Sequence, residues 1–295
     1  MKTRISVVKT ADRGLGIAKA IELLGGNPIR GKAVLLKPNF NTADPYPGST
    51  HNDTLRSLIL HLKKMGAARI TVAERSGPAD TGGVLLKKGI PQLCTELGAG
   101  LINFEDLPPE AWVRIKPEKS HWRNGFSFAK PVLEAECIVT TCCLKTHGFG
   151  GVFTMSLKLS VGMTHKKNMT ELHTSVRSMR KMIAELNQAY SPSIILLDAI
   201  EAFVDGGPMT GKRHDTGLII AGTDRIAIDA VGLAVLKLAG SNRAIMGKKI
   251  FEQEQISRSV ELGLGITGPG EIELVTDDSG SKGRAEELLE VLNKD

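Results

Sequence analysis

CCLKTHGFGGVFTMSLKLSVG, Cys142 to Gly162, is the stretch whose reading decides the rest. It continues from Cys137-Ile138-Val139-Thr140-Thr141, a short, apolar, β-branched run that fits a buried strand ending near Thr141. Lys145 and His147 follow, then a loop with Gly148, Gly150 and Gly151, then a second cationic segment with Lys158 and His165. Glycine lets a backbone come close to a ligand. Lysine supplies charge or a nucleophile, and histidine supplies proton transfer or a metal ligand. Lys145, His147 and Lys158 are therefore the candidate catalytic residues, with the three glycines as ligand-contacting backbone. The competing structural reading makes the lysines ordinary surface groups and the histidine a hydrogen-bonded one.

The same alternation of strand and helix extends outward in both directions. Ile5–Lys9, Ala33–Leu36, Ile70–Ala73 and Leu101–Asn103 precede the central stretch as strands, with helices between them. Beyond it come a helix from about Thr174 to Ala189, the strand Ile194–Leu197 and the strand Leu218–Ala221. A helix from Ile226 to Leu238, one near Lys249 to Leu262, the strand Ile272–Val275 and a last helix complete the pattern. Apolar rather than alternating strands predict an α/β fold with a mostly parallel sheet flanked by helices. Residues 104–130 interrupt the alternation: WVRIK and FSFAK, joined through Gly125, predict a hairpin or connection. The expected division is an N-terminal α/β lobe over 1–130 and a C-terminal lobe over 131–295, with a cleft between them.

In parallel sheets ligands bind at the carboxyl ends of the strands. Polar clusters fall at five such ends: Lys37/Asn39, Glu74/Ser76/Gly77, Lys145/His147, Asp198/Glu201 and Thr223/Asp224. Ser49, Thr50 and His51 add a helix entry, where amides attract anions and where capping alone also explains the residue types. Lys37, Asn39, Ser49, Thr50, His51, Glu74, Ser76, Asp198 and Glu201 thus join the glycines as ligand-binding candidates. Asp198 and Glu201 suit a general base or a hard divalent cation. His165 is the candidate metal ligand.

Composition narrows the classes. The chain has 295 residues, a formal charge of +6 and 4% aromatics. Between Thr141 and Lys181 seven lysines and arginines stand against Glu171 alone, an excess equal to that of the whole chain. A local positive field beside a glycine loop favours a small anion, either phosphate or carboxylate. Scarce aromatics and the absence of a known module argue against nucleic-acid binding. No apolar run reaches a membrane-spanning length of roughly 18 residues, and the sequence starts straight into a strand pattern, so no membrane association and no signal peptide are expected. Cys94, Cys137, Cys142 and Cys143 lack disulfide or zinc spacing and fit the buried thiols of a cytoplasmic protein.

KPNFN, GSTHNDTLRSLILHLKKMGAARITVAERSG, LKTHGFGGVFTMSLKLSVG, DGGP and GTDRIAIDAVG together resemble the family called domain of unknown function 362, over roughly Lys37 to Gly232. Leu159 departs from the asparagine common after the second lysine, and Val204 to Pro208 depart from a Glu-Gly-x-Gly-Pro pattern. Many relatives carry a ferredoxin-type domain, which implies redox surroundings and a ferredoxin-type partner. This chain has no clustered CxxCxxC with which to hold an iron–sulfur cluster itself. A fainter similarity is to the nickel-pincer lactate racemases, where a lysine tethers an organic cofactor and a histidine helps hold the metal. Lys158 and His165 are the matching positions, with His147 beside them. The sequence thus leads to an enzyme of undetermined reaction class, isomerase or oxidoreductase-related, acting on a small anionic molecule. An accessory protein for an iron–sulfur partner is the alternative.

Overall fold

Nine strands make one sheet in the computed structural model, which describes residues 2–295. In chain order the strands are β1 (Thr3–Lys9), β2 (Ala33–Lys37), β3 (Arg69–Glu74), β4 (Gly100–Asn103), β5 (Trp112–Ile115) and β6 (Phe126–Ala129). Then follow β7 (Cys137–His147), β8 (Val152–Thr154), β9 (Ile194–Gly206), β10 (Gly211–Gly222) and β11 (Ile272–Val275). The sheet runs β11-β1-β10-β9-β7-β2-β3-β4, with β8 paired to β7 and β5-β6 forming a separate hairpin. From β9 to β4 every neighbouring pair is parallel; β10 is antiparallel to both β9 and β1. The α/β class and the mostly parallel sheet expected from the sequence are what the protein has. The sheet is continuous across residue 130, because β1 lies between β10 and β11.

Successive residues of one strand serve opposite cores, which is why the strands read as unbroken apolar runs. Leu218 and Ile220 pack under a helix at Arg225–Leu238, while Ile219 and Ala221 face helices at Arg13–Leu24 and Asn52–Lys64. A third cluster, with Phe126, Phe128 and Ile183, joins the hairpin to a helix at Met179–Leu186.

Three boundaries differ from expectation. Strand β7 does not stop at Thr141 but continues, fully buried, to His147. Lys145 and His147 are therefore strand residues, held by pairing with β8 and β9. Strand β9 likewise runs past Asp198 to Gly206, since β10 supplies it with an antiparallel partner. The helix expected from Thr174 breaks at Ser175–Ser178, separating Asn168–Thr174 from Met179–Leu186.

Candidate functional site

Lys37 and Glu74 end the adjacent parallel strands β2 and β3, so their side chains meet at the carboxyl edge. Lys37 Nζ donates to Glu74 Oε1 and, at 2.7 Å, to the Pro38 carbonyl. Glu74 also accepts the Phe40 and Arg75 amides at 2.7 and 2.8 Å. Both side chains are about 1% exposed. Burial pushes the lysine pKa down and the carboxyl pKa up, each opposed by the partner's charge.

On the next strand, Lys145 is wholly buried and donates to Asn39 Oδ1 at 2.9 Å and to the Gly48 carbonyl. Arg75 is 2% exposed; its guanidinium donates to the Ser76 carbonyl at 2.7 Å and to the Val161 carbonyl, while Nε has no partner. Burial lowers its pKa to about 10.

Lys158 completes the group from the short turn Ser156–Leu159. Its ammonium has no carboxylate beside it, and its pKa falls to about 8 through burial first, then the charges of Lys145 and Arg75. These residues line one cleft with Asn41, Thr154, Leu159, Gly162 and Pro208. Two glycines are required by proximity. A Cβ on Gly162 would lie 2.8 Å from Lys37 Nζ, and one on Gly151 would lie 2.9 Å from the His147 ring and 3.1 Å from Lys158 Cε.

His147 is buried beside this group with its Nδ1 unpartnered, and it pairs across the strands with Val152. Burial, then Lys158 and Lys145, push its pKa to about 2, so the ring stays neutral. Val152 has φ +68°, a conformation that a β-branched residue adopts only under strain. The strain sits in the turn between His147 and Lys158.

The Lys158 turn is fixed from behind by residues outside the cleft. Asp229 accepts the Ser156 and Leu157 amides at 2.7 and 3.0 Å from inside a helix that is buried almost all round. Asn187 donates to the Leu157 carbonyl at 2.9 Å, and Arg225 holds Asn187 through its carbonyl at 2.8 Å. The two amides compete with desolvation, which wins and raises the Asp229 pKa to about 7. A lone carboxylate within RIAIDAVGLAVL is the sequence signal for this role. Arg75, Asn41, Thr154 and Gly162 lie in or beside the quoted motifs and carry no separate signal.

The other candidates fall elsewhere. Thr50 accepts the Asn39 amide at 2.8 Å, Ser76 donates to the Phe40 carbonyl at 2.7 Å, and Ser49 donates to the Thr42 carbonyl at 2.6 Å; these three shape the loop walls. His51 caps the helix Asn52–Lys64 by accepting the Asp53 amide. Asp198 is consumed by Arg13 at 3.0 Å, Thr54 at 2.5 Å and Tyr46 at 2.7 Å, and Glu201 faces Arg213 at 3.3 Å.

Gly148, Gly150 and Gly151 are not among the residues that line the cleft: Gly148 donates to the Gly207 carbonyl, while the Gly150 and Gly151 carbonyls accept from Arg180 and Gln255. His165 Nδ1 accepts the Lys167 amide, and its ring packs on Trp112 at 4.7 Å. Among the described residues no three His, Cys, Asp or Glu side chains come together as a metal site. Of the two histidines matched to the nickel-pincer arrangement, His165 is engaged away from the cleft, whereas His147 lies beside Lys158 with its Nδ1 unpartnered. Burial pushes the Cys94 and Cys143 thiols up to about 11. Among the described residues no helix is long and apolar enough to cross a membrane.

The fold is similar to that of the lactate racemase apoprotein from Thermoanaerobacterium thermosaccharolyticum, with a TM-score of 0.50 and 12% identity over 96% of this chain and 85% of that one. At that identity the likeness is one of fold alone. No curated protein matches the sequence. Residues 34–234, which span the cleft lining and the Asp229 support, match the domain of unknown function DUF362, and the chain belongs to that family.

Proposed function

We propose that this protein is an enzyme acting on a small anionic organic molecule, a carboxylate or phosphate ester, bound in the cleft at the carboxyl ends of β2, β3 and β7. The observation that carries this reading is the imbalance of charge in the cleft, where Lys37, Arg75 and Lys145 are buried and Lys158 is partly buried. Lys37, Arg75, Lys145 and Lys158 line the cleft against Glu74 alone. Buried cations without counter-ions are costly, and a bound anion removes that cost. Lys37 and Lys145 are fixed by hydrogen bonds and serve as anchors, whereas Lys158 is free to move a proton. A pKa near 8 places it close to neutral pH, where a general base works best.

The test is thermal denaturation with phosphate, malonate and pyruvate as probes. Each ligand that fills the cleft should raise the melting temperature in a concentration-dependent way. Lys158→Ala should reduce that response at least tenfold in apparent affinity. An equal response in the variant and the parent would overturn the assignment.

A further inference from the structure

We propose that Lys158 acts as a covalent nucleophile toward a carbonyl carbon, so that the substrate is a 2-oxo acid held by its carboxylate against Lys145 and Arg75. The inference deepens the anion-binding reading above and rests on it. Three lysines line the cleft, and their surroundings differ. Lys37 is paired with Glu74, and Lys145 donates to Asn39 and Gly48. Lys158 alone has neither a carboxylate nor a carbonyl holding its ammonium. Amines of this kind, desolvated and next to other cations, are the ones that add to carbonyls.

Two further features suit the step. Gly151 leaves the space beside Lys158 Cε open, since any Cβ there would lie 3.1 Å away. The Thr154 hydroxyl, opposite Lys145 in the strand pairing, is 5% exposed, lines the cleft and has no partner. A buried hydroxyl without a partner is unfavourable until something supplies one. In this arrangement it hydrogen-bonds the carbonyl oxygen.

The chemistry balances without a co-reactant. The neutral Lys158 amine attacks the carbonyl carbon, a C–N bond forms and the oxygen becomes a hydroxyl. The two hydrogens of the amine leave with that oxygen as water when the C–N double bond forms. Protonation of the imine nitrogen then makes it an electron sink for a carbanion on the adjacent carbon. The depressed Lys158 pKa supports the step, because only the neutral amine attacks.

Borohydride trapping tests the proposal. The whole protein is incubated with pyruvate, reduced with sodium borohydride and mapped by peptide mass spectrometry, with oxaloacetate as a second probe. The hydride reduces the imine to a stable secondary amine. The expected result is one carboxyethyl group per chain from pyruvate, on Lys158, with a trapping rate that rises as pH passes through about 8. Lys158→Arg, which keeps the charge, should lose the adduct while retaining anion-induced stabilisation. A parent protein that shows the thermal shift but no adduct overturns the nucleophile and leaves the anion cleft standing. An adduct spread over surface lysines, or persisting in Lys158→Arg, also overturns it. Loss of both responses in the folded parent removes both readings.

Discussion

Two polar clusters sit at the carboxyl edge of the same sheet and have opposite outcomes. Around Asp198, Arg13, Tyr46 and Thr54 converge on one carboxylate, which is 1% exposed and fully supplied with donors. Around Lys158, four cationic side chains share a cleft with one carboxylate, and Thr154 and Arg75 keep unpartnered polar atoms. Residue types alone do not separate the two clusters, since both combine strand-end charges with hydroxyls and amides. The difference is satisfaction. A cluster whose charges and hydrogen bonds close on themselves is structural, and the one left open is the site in the reading proposed above.

The sharpest way to break this comparison is to remove Asp198. Asp198→Ala leaves Arg13 without its carboxylate and should destabilise the fold by about 3–5 kcal/mol, measured by urea denaturation. Provided the variant is studied below its melting temperature, its anion affinity should match that of the parent. A selective loss of anion binding without loss of stability would reverse the roles of the two clusters.

The opposite response is expected at Lys158. Folding lowers its pKa from 10.5 to about 8, so at pH 7 the folded chain carries a proton that it binds poorly. Lys158→Met should therefore stabilise the protein by about 1–3 kcal/mol at pH 7. Between about 8 and 10.5 the unfolded chain binds more protons than the folded one, so the parent gains stability as pH rises through that window. The variant's advantage should be complete below pH 8 and gone above 10.5. Denaturant midpoints across this range would show it, and an advantage independent of pH would rule out proton binding at Lys158 as its cause.

A smaller change sharpens the same contrast. Gly162→Ala puts a methyl 2.8 Å from Lys37 Nζ and 3.1 Å from Glu74 Oε1. The crowding should cost about 1 kcal/mol of stability. Because the methyl presses on an anion anchor, the thermal shift with phosphate should weaken more than stability does. Unchanged ligand response would place the anion farther toward Lys158.

The sheet class and the meeting of Lys37, Glu74 and Lys145 are legible in the sequence because apolar run lengths and strand-end polarity are local signals. Burial of Lys145 is not legible: a lysine looks like the end of a strand, and only Asn39 and Gly48, about a hundred residues away, make its burial tolerable. Asp198 resembles a site residue for the complementary reason, as its partners Arg13, Tyr46 and Thr54 are scattered through the first sixty residues. His147 stands out by type, but its neutral state depends on burial and on two lysines that the fold brings near. Asp229 escapes a motif-based reading because its task, holding the Lys158 turn, lies on a helix seventy residues further along the chain.

The place of β1 between β10 and β11 sets the order in which the protein can be built. Ile5 pairs with Gly222 and Thr3 with Ile272, so the first strand finds its partners only after most of the chain has been synthesised. At ribosomal speed the delay from Ile5 to Gly222 is on the order of 10–40 s. During that interval β1 is an apolar segment with open hydrogen-bonding edges, the condition under which nascent chains aggregate or engage chaperones. The parallel core β4-β3-β2-β7 has all its strands by His147, so Lys37, Glu74 and Lys145 can assemble first. Asp229, which fixes the Lys158 turn, emerges late, and Lys158 is locked in place only as the fold closes. Contacts of such long sequence separation are slow to form.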